Sequence, residues 1–177
     1  MENMLEQWLE QERSVIGRNR QGAGIGVVTR EQLAGTTGMQ MMQGILNGSL
    51  PQPPISSTLD FLLIEAGAGR AVFQGTPGPQ FLNPTGTVHG GWYATLLDSA
   101  MGCAVGTMMP VGRGYTTAEL SVNLVRAVST KVQRVRAEGR VLHCGRQLAT
   151  AEARLVGPDG TLYAHGTTTC LVFEMPA

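Results

Sequence analysis

The sequence predicts an α+β fold in which an antiparallel β-sheet wraps around one long central helix. The order of elements leads to this fold class. Two strand-like segments precede one strongly apolar helix at about residues 90–108, and four further strand-like segments follow that helix in direct succession. This order supports neither an all-helical fold nor a doubly wound parallel fold. A helical extension precedes the first strand.

Residues 1–50 form this predicted extension. Its first helix is predicted over residues 2–15, because apolar side chains there recur at helical spacing. A glycine-rich loop is expected to follow at 17–28. The residues at helical spacing are Leu5, Trp8, Leu9 and Glu12.

A second helix of the extension is predicted from Thr29 through about Asn47. Thr29 and Gln32 have the spacing of a capping box, in which each side chain bonds the backbone N–H of the other residue. The prolines at 51–54 then predict a hinge into the main domain, residues 51–177.

The main domain is predicted to contain six strands, recognised by alternation of apolar and polar residues. Small residues on the predicted inner face, Ala149, Ala151 and Ala153, would let the central helix lie close to the sheet. The predicted strands span residues 59–65, 70–75, 115–125, 132–144, 148–156 and 162–173.

Charge and composition exclude several functional classes. The 177 residues contain 13 basic and 13 acidic side chains, so no excess charge attracts the chain to nucleic acid or to a membrane surface. Lys131 is the only lysine, and this arginine bias fits either a phosphorylated ligand or a GC-rich genome. Signature motifs of serine esterases, P-loop NTPases, zincins and Rossmann proteins do not occur.

The cysteines and the amino terminus predict a cytoplasmic protein. Three cysteines, without CxxC spacing, argue against structural disulfides and a zinc site. The amino terminus has acids in its apolar stretch and lacks the pattern of a signal peptide. No window approaches the roughly 20 apolar residues that a membrane helix needs.

The segment whose residues most clearly suggest a catalytic site is 83–98, NPTGTVHGGWYATLLD. His89, Gly90 and Gly91 lie where a loop becomes the central helix. The first N–H groups of a helix have no partner within the helix and carry the positive end of its dipole. Two glycines leave these groups unshielded, which suits an oxyanion, including the one that forms when water attacks a thioester carbonyl.

Asp98 lies eight residues beyond Gly90, about 12 Å along the helix axis. One carbonyl cannot contact both groups within one chain, whereas two such helices packed antiparallel across a two-fold axis would bring them together. Asp98 also lies in an otherwise apolar stretch. Burying a carboxylate there without a partner is costly, so it should have a bonding partner or a catalytic role. It is therefore either catalytic or an acid held by the helix dipole or by a Ser or Thr hydroxyl.

His89 and Asn83 also have two interpretations each. His89 either orders the loop by hydrogen bonding, which we favour, or polarises a carbonyl. Asn83 precedes Pro84 and either forms a turn or orients the attacking water.

The run NPTGTVHGG followed by LLDSA resembles the signature of PaaI-type (phenylacetyl-CoA) thioesterases of the hotdog superfamily. The resemblance continues through YTTAELSVNLVRAV, AEGRVLHCGRQLATAEARL and DGTLYAHGTTT. It covers about residues 55–174 and leaves the amino-terminal extension outside. It implies the hotdog fold and hydrolysis of an acyl- or aryl-CoA thioester without a metal or another cofactor.

The resemblance also implies site residues. Asp98 would be the general base or the nucleophile, the Gly90 N–H would polarise the carbonyl, Asn83 would orient water and His89 would support the turn. A strand hydroxyl would assist, from Thr117 or from its neighbour Thr116, which alternation places on the opposite face.

The substrate and the assembly follow from the same resemblance. CoA would be bound by Gly91 and by arginines at the surface, for which Arg126, Arg140 and Arg146 are the candidates. The chain would form a homodimer, with two dimers pairing into a tetramer.

Two other functions fit the sequence. One is a non-catalytic acyl-CoA-binding or sensing protein, in which the helices of the extension contact a partner. The other is a hotdog dehydratase or hydratase, which would alter the acyl chain without releasing a thiol.

Overall fold

The computed structural model describes residues 2–175 and confirms the predicted sheet around a central helix. The helices are α1 (Glu2–Gln21), α2 (Arg30–Leu33), α3 (Gly38–Asn47), α4 (Pro54–Thr58) and α5 (Gly90–Gly106). The strands are β1 (Phe61–Gly67), β2 (Arg70–Gly75), β3 (Arg113–Leu124), β4 (Val135–Cys144), β5 (Leu148–Val156) and β6 (Leu162–Glu174). They form one antiparallel sheet in the order β1-β2-β4-β5-β6-β3, which is the hotdog architecture.

Helix α5 lies on the inner face of the sheet and forms the centre of the core. Ala100, Met101 and Ala104 are fully buried there. The close approach depends on Gly139 of β4, where a Cβ atom would lie 2.3 Å from the carbonyl oxygen of Ala100. The predicted inner-face alanines of β5 are also buried. Small residues on the sheet thus determine how near the helix can lie.

The strand bounds differ from the predictions only at their ends. The first strand begins at Phe61 rather than at 59, because Asp60 has a positive φ of 50° that an extended strand does not allow. The fourth begins at Val135 rather than at 132. Helix α5 ends at Gly106, two residues before the predicted end.

The helices of the extension were predicted less accurately. Helix α1 continues to Gln21, since Gly17 lies within it without breaking it. The predicted second helix is two helices, because Gly35 adopts a left-handed φ of 72° and a second capping box starts α3. Thr37 and Gln40 form that capping box. The predicted hinge continues into the short helix α4.

Helix α1 lies on the outer face of the sheet, opposite α5. The guanidinium of Arg136 in β4 lies 4.4 Å from the ring centroid of Trp8, a cation–π contact. The side chain of Gln74 in β2 donates to the carboxylate of Glu12 at 3.2 Å. Glu12 also accepts from Arg134 at 2.7 Å. The extension is thus joined to the sheet by a buried polar network around one aromatic ring.

Replacing Trp8 with Ala is expected to lower the free energy of unfolding by about 3–5 kcal/mol, as is typical for truncation of a buried aromatic side chain. Trp8 is 6% exposed. Urea denaturation followed by far-UV circular dichroism measures the loss. The control is Met4→Ala, on the same helix at 45% exposure. Equal stability of the two variants would contradict the docked position of α1.

Candidate active site

His89 starts helix α5 and fixes the loop that precedes it. Its side chain is the N-cap, with Nδ1 accepting the Gly91 N–H at 2.9 Å. Its own backbone N–H donates to the carbonyl of Phe81 at 2.7 Å. This geometry is that of a residue which orders the loop.

Gly90 and Gly91 differ in what their N–H groups do. The Gly91 N–H is committed to His89, and the Trp92 N–H donates to the His89 carbonyl at 3.0 Å. No acceptor within residues 2–175 bonds the Gly90 N–H. One bare N–H therefore remains at the positive end of a 17-residue helix.

Asn83 organises the turn before this helix end. Its Oδ1 accepts from the backbone N–H of Thr85 at 2.9 Å and of Thr87 at 3.2 Å. Its Nδ2 donates to the hydroxyl of Thr87 at 2.7 Å. Because an amide nitrogen carries two hydrogens, one N–H of Asn83 stays available.

A cavity of about 300 Å³ adjoins the helix end. Asn83, Gly90 and Arg126 all line it, so the structure brings these three predicted residues together. Leu124 is a lining residue that the sequence did not indicate; its methyl group would lie 2.7 Å from a Cβ on residue 90. Tyr93 forms another wall, and its hydroxyl accepts the N–H of Val128 at 2.5 Å.

Asp98 lies further along α5, next to β3. The hydroxyl of Thr117 donates to its Oδ1 at 2.9 Å, and no other hydrogen bond to the carboxylate occurs within the described chain. Oδ2 is therefore unbonded in the protomer. Thr117, and not the exposed Thr116, is the strand residue on the helix side.

The surroundings of Asp98 are apolar and rich in weak acids. Burial raises the pKa of the Cys103 thiol to about 12, despite a hydrogen bond with Tyr115 that lowers it; the charge of Asp98 raises it further. Burial likewise raises the pKa of the Tyr115 hydroxyl. Neither group therefore serves as a base at neutral pH.

Asp98 and Gly90 do not meet within one protomer. They lie on one helix, eight residues and about 12 Å apart along its axis. Thr117 is hydrogen-bonded to Asp98, whereas Asn83 and Arg126 line the cavity at Gly90.

The other two predicted arginines lie away from this cavity. Arg140 is paired with Glu152 on the exposed sheet at 2.6 Å. The carbonyl of Arg146 accepts a hydrogen bond from Arg113, at the opposite end of β3 from Arg126. The 12 residues of β3 extend roughly 35–40 Å. The protomer therefore does not gather the three predicted arginines into one phosphate site.

Strand β3 forms one edge of the sheet, and β6 is the only strand of the described chain that pairs with it. All 12 of its residues are exposed or partly exposed, including Leu120 and Leu124 at 38% and 53%. Such an edge presents unpaired N–H and C=O groups that can pair with another chain. This edge lies beside Thr117, the partner of Asp98.

Within residues 2–175, no helix is long and apolar enough to cross a membrane. The same part of the chain contains no group of three or more His, Cys, Asp or Glu side chains arranged to hold a metal ion.

Comparison with known proteins identifies the family to which this fold belongs, a class of thioesterases. The family model of the thioesterase superfamily matches residues 85–164. A search of curated proteins finds no match.

Solved structures extend the similarity beyond those residues. A conserved protein from Pseudomonas aeruginosa is 30% identical, with 68% of this chain and 94% of that chain covered and a TM-score of 0.64. A putative thioesterase from Ralstonia eutropha, described as phenylacetic acid degradation-related, is 26% identical over 73% and 98% of the chains, with a TM-score of 0.67. A mutant of the phenylacetic acid degradation protein PaaI from Thermus thermophilus is 27% identical over 67% and 97%, with a TM-score of 0.60. The chain belongs to the thioesterase superfamily, in its PaaI-type hotdog branch.

Proposed function

We propose that the chain hydrolyses an acyl- or aryl-CoA thioester to the free acid and CoA, at a site shared by two subunits. The single observation that carries this proposal is the bare Gly90 N–H at the start of α5. A backbone N–H at this position would donate to the carbonyl oxygen of the thioester and stabilise the negative charge that develops there. Such donors contribute about 10²–10³-fold to the rate in acyl-transfer enzymes.

The second half of the site comes from Asp98 of the partner subunit. Two copies of α5 packed antiparallel about a two-fold axis offset the 12 Å separation within each helix, since the same spacing runs in opposite directions. The exposed edge strand β3 supports this arrangement, because pairing of two such edges would place the two α5 helices side by side. We further propose that two dimers associate into a tetramer.

Each remaining site residue has a defined role in this proposal. Thr117 donates to Oδ1 of Asp98, which leaves Oδ2 available to act at the reacting carbonyl. The unused N–H of Asn83 orients the attacking water, and His89 keeps the Gly91 N–H occupied, so that Gly90 alone faces the substrate carbonyl. Gly91 then contributes to substrate binding only through its lack of a side chain.

The phosphates of CoA are assigned first to Arg126, because it lines the same cavity as Gly90. Arg146, at the other end of β3, approaches this region only from the partner subunit in an antiparallel dimer. Arg140 is the weakest of the three candidates, since Glu152 already neutralises its charge.

Two routes use the same carboxylate. As a base, Asp98 takes a proton from water while the water oxygen bonds to the carbonyl carbon; the C–S bond then breaks, and the proton returns to the CoA thiolate. As a nucleophile, Oδ2 bonds to the carbonyl carbon and displaces the thiolate, and water then cleaves the resulting anhydride. A single turnover in ¹⁸O water identifies the anhydride route when water attacks the Asp98 carboxyl carbon, because that attack places ¹⁸O in the side chain of Asp98.

The experiment that tests the function is a screen of acyl- and aryl-CoA thioesters with a thiol reagent that detects free CoA. We expect release of the thiol with at least one substrate. EDTA should leave the rate unchanged, because the proposed chemistry uses only a carboxylate and a backbone N–H. Tight binding without turnover would instead support a binding or sensing protein. An altered acyl-CoA without free thiol would indicate a hydratase.

A further inference from the structure

Four buried polar side-chain atoms lack a hydrogen-bond partner within residues 2–175, and all four belong to residues that line one cavity. They are Oδ1 of Asn19, Oε1 and Nε2 of Gln52, and Oγ of Ser56. Gln52 is only 7% exposed and Ser56 only 5%. Buried polar groups in native proteins are nearly always paired. Their concentration in one place points to a ligand that would pair them.

The cavity has the size and lining of a small-molecule site. Its volume is about 410 Å³, within the usual range for such sites. It lies among the end of α1, the segment around residue 24, helix α4 and the start of β1. Its apolar walls are formed by Ile16, Ile25, Phe61 and Leu62.

The backbone around Gln52 is fully used, which leaves only its side chain for a ligand. Gln52 N–H donates to the carbonyl of Gly24 at 2.8 Å, and its carbonyl accepts from Gly26 at 2.9 Å. These two bonds form a bridge that fixes Gln52 against the loop after α1. The amide is therefore held in place and unpaired at both its oxygen and its nitrogen.

The chemistry of the unpaired atoms defines the ligand. Gln52 presents one acceptor and two donor hydrogens, Asn19 adds an acceptor, and Ser56 can donate or accept. None of these buried groups is charged. The only charged lining residues are Arg20 and Asp60, which are exposed and of opposite sign. A neutral ligand with a donor and an acceptor on one edge matches this arrangement.

We propose that this cavity binds a small neutral molecule in which a carboxamide-type edge is attached to an apolar ring. The carboxamide would pair with the side chain of Gln52, and the ring would lie against Ile16, Ile25 and Leu62. The site lies between the extension and the segment from Gln52 to the start of β1, outside every residue assigned to hydrolysis. Its occupancy is therefore independent of the proposed activity.

The test is binding of benzamide and nicotinamide to the full chain, measured by calorimetry, with toluene and benzoate as comparison probes. Both carboxamides are expected to bind at least tenfold more tightly than either comparison probe. Gln52→Leu should weaken carboxamide binding at least tenfold, whereas Gln43→Leu, the same change at an exposed position of α3, should have no effect.

A measurement on the unaltered chain keeps the test decisive if Gln52→Leu fails to fold. The side-chain amide ¹⁵N resonance of Gln52 should shift on addition of benzamide. No binding of either carboxamide, or no shift at Gln52, would show a cavity filled by water only and would overturn the proposal. Equal affinity for toluene would likewise overturn it, because the polar atoms would then play no part.

Discussion

Replacing Asp98 with Asn is expected to lower kcat for thioester hydrolysis by about 10²–10⁴-fold, the usual contribution of a positioned general base. The amide cannot accept the proton of water, nor can it attack a carbonyl carbon. Its oxygen can still accept the hydroxyl of Thr117, so the local structure should persist. The rate is measured as release of free CoA under saturating substrate.

A matched control for this variant is Asp159→Asn, the same change at an exposed turn between β5 and β6. It should retain full activity, because Asp159 bonds only Thr161 of its own turn. Size-exclusion chromatography and circular dichroism establish that both variants remain folded and assembled. A rate for Asp98→Asn within twofold of the unaltered enzyme would exclude the carboxylate from the chemistry.

Replacing Gly90 with Pro is the second change with a large expected effect, a loss of about 10²–10³-fold in kcat. Proline removes the one bare N–H while remaining compatible with the first position of a helix. The preceding residue also tolerates it, since His89 has φ −63° and ψ 136°, the extended conformation that proline requires before it.

Gly90→Ala separates the loss of the N–H from the effect of added bulk. Alanine and proline both place a Cβ near the side-chain methyl group of Leu124, the flexible end of a side chain that can move away. Only proline removes the donor. We therefore expect Gly90→Ala to retain most of the rate that Gly90→Pro loses. Equal losses in the two variants would mean that space, and not hydrogen bonding, matters at residue 90.

The main-domain fold could be predicted from the sequence because its signals are local and repeated. Alternation along the strands and the apolar run of α5 specify which face each residue occupies. The predicted inner-face alanines of β5 are buried against α5 for this reason. The extension was harder, because Gly17 continues a helix whereas Gly35 ends one. The capping-box spacing of Thr37 and Gln40 was the sequence signal for the start of a separate helix.

The candidate site could be predicted in its residues but not in its hydrogen bonds. The HGG turn indicated the start of α5. Only the three-dimensional structure shows that the Gly91 N–H is bonded to His89 while the Gly90 N–H is bare. Leu124 lies 34 residues along the chain from Gly90, and no short-range pattern links the two. The unpaired atoms around Gln52 are likewise a property of packing, because a polar residue in a loop gives no sign of being buried.

The phosphate ligands could not be chosen from the sequence. Arg126, Arg140 and Arg146 are equally suitable phosphate ligands by residue type, but the tertiary structure gives them different surroundings. One adjoins the helix end, one is paired with Glu152, and one lies at the far end of β3. A sequence identifies charges without their partners, and the partners decide which charge remains available to a ligand.

The shared site is tested most directly by mixing two inactive variants, Asp98→Asn and Gly90→Pro, after reversible dissociation. A hybrid dimer would contain one site with both defects and one with Asp98 and Gly90 intact. Random reassortment makes half of the dimers hybrids, so we predict recovery of about a quarter of the unaltered activity. No recovery, in a mixture shown by mass spectrometry to contain hybrids, would contradict a site built from two subunits.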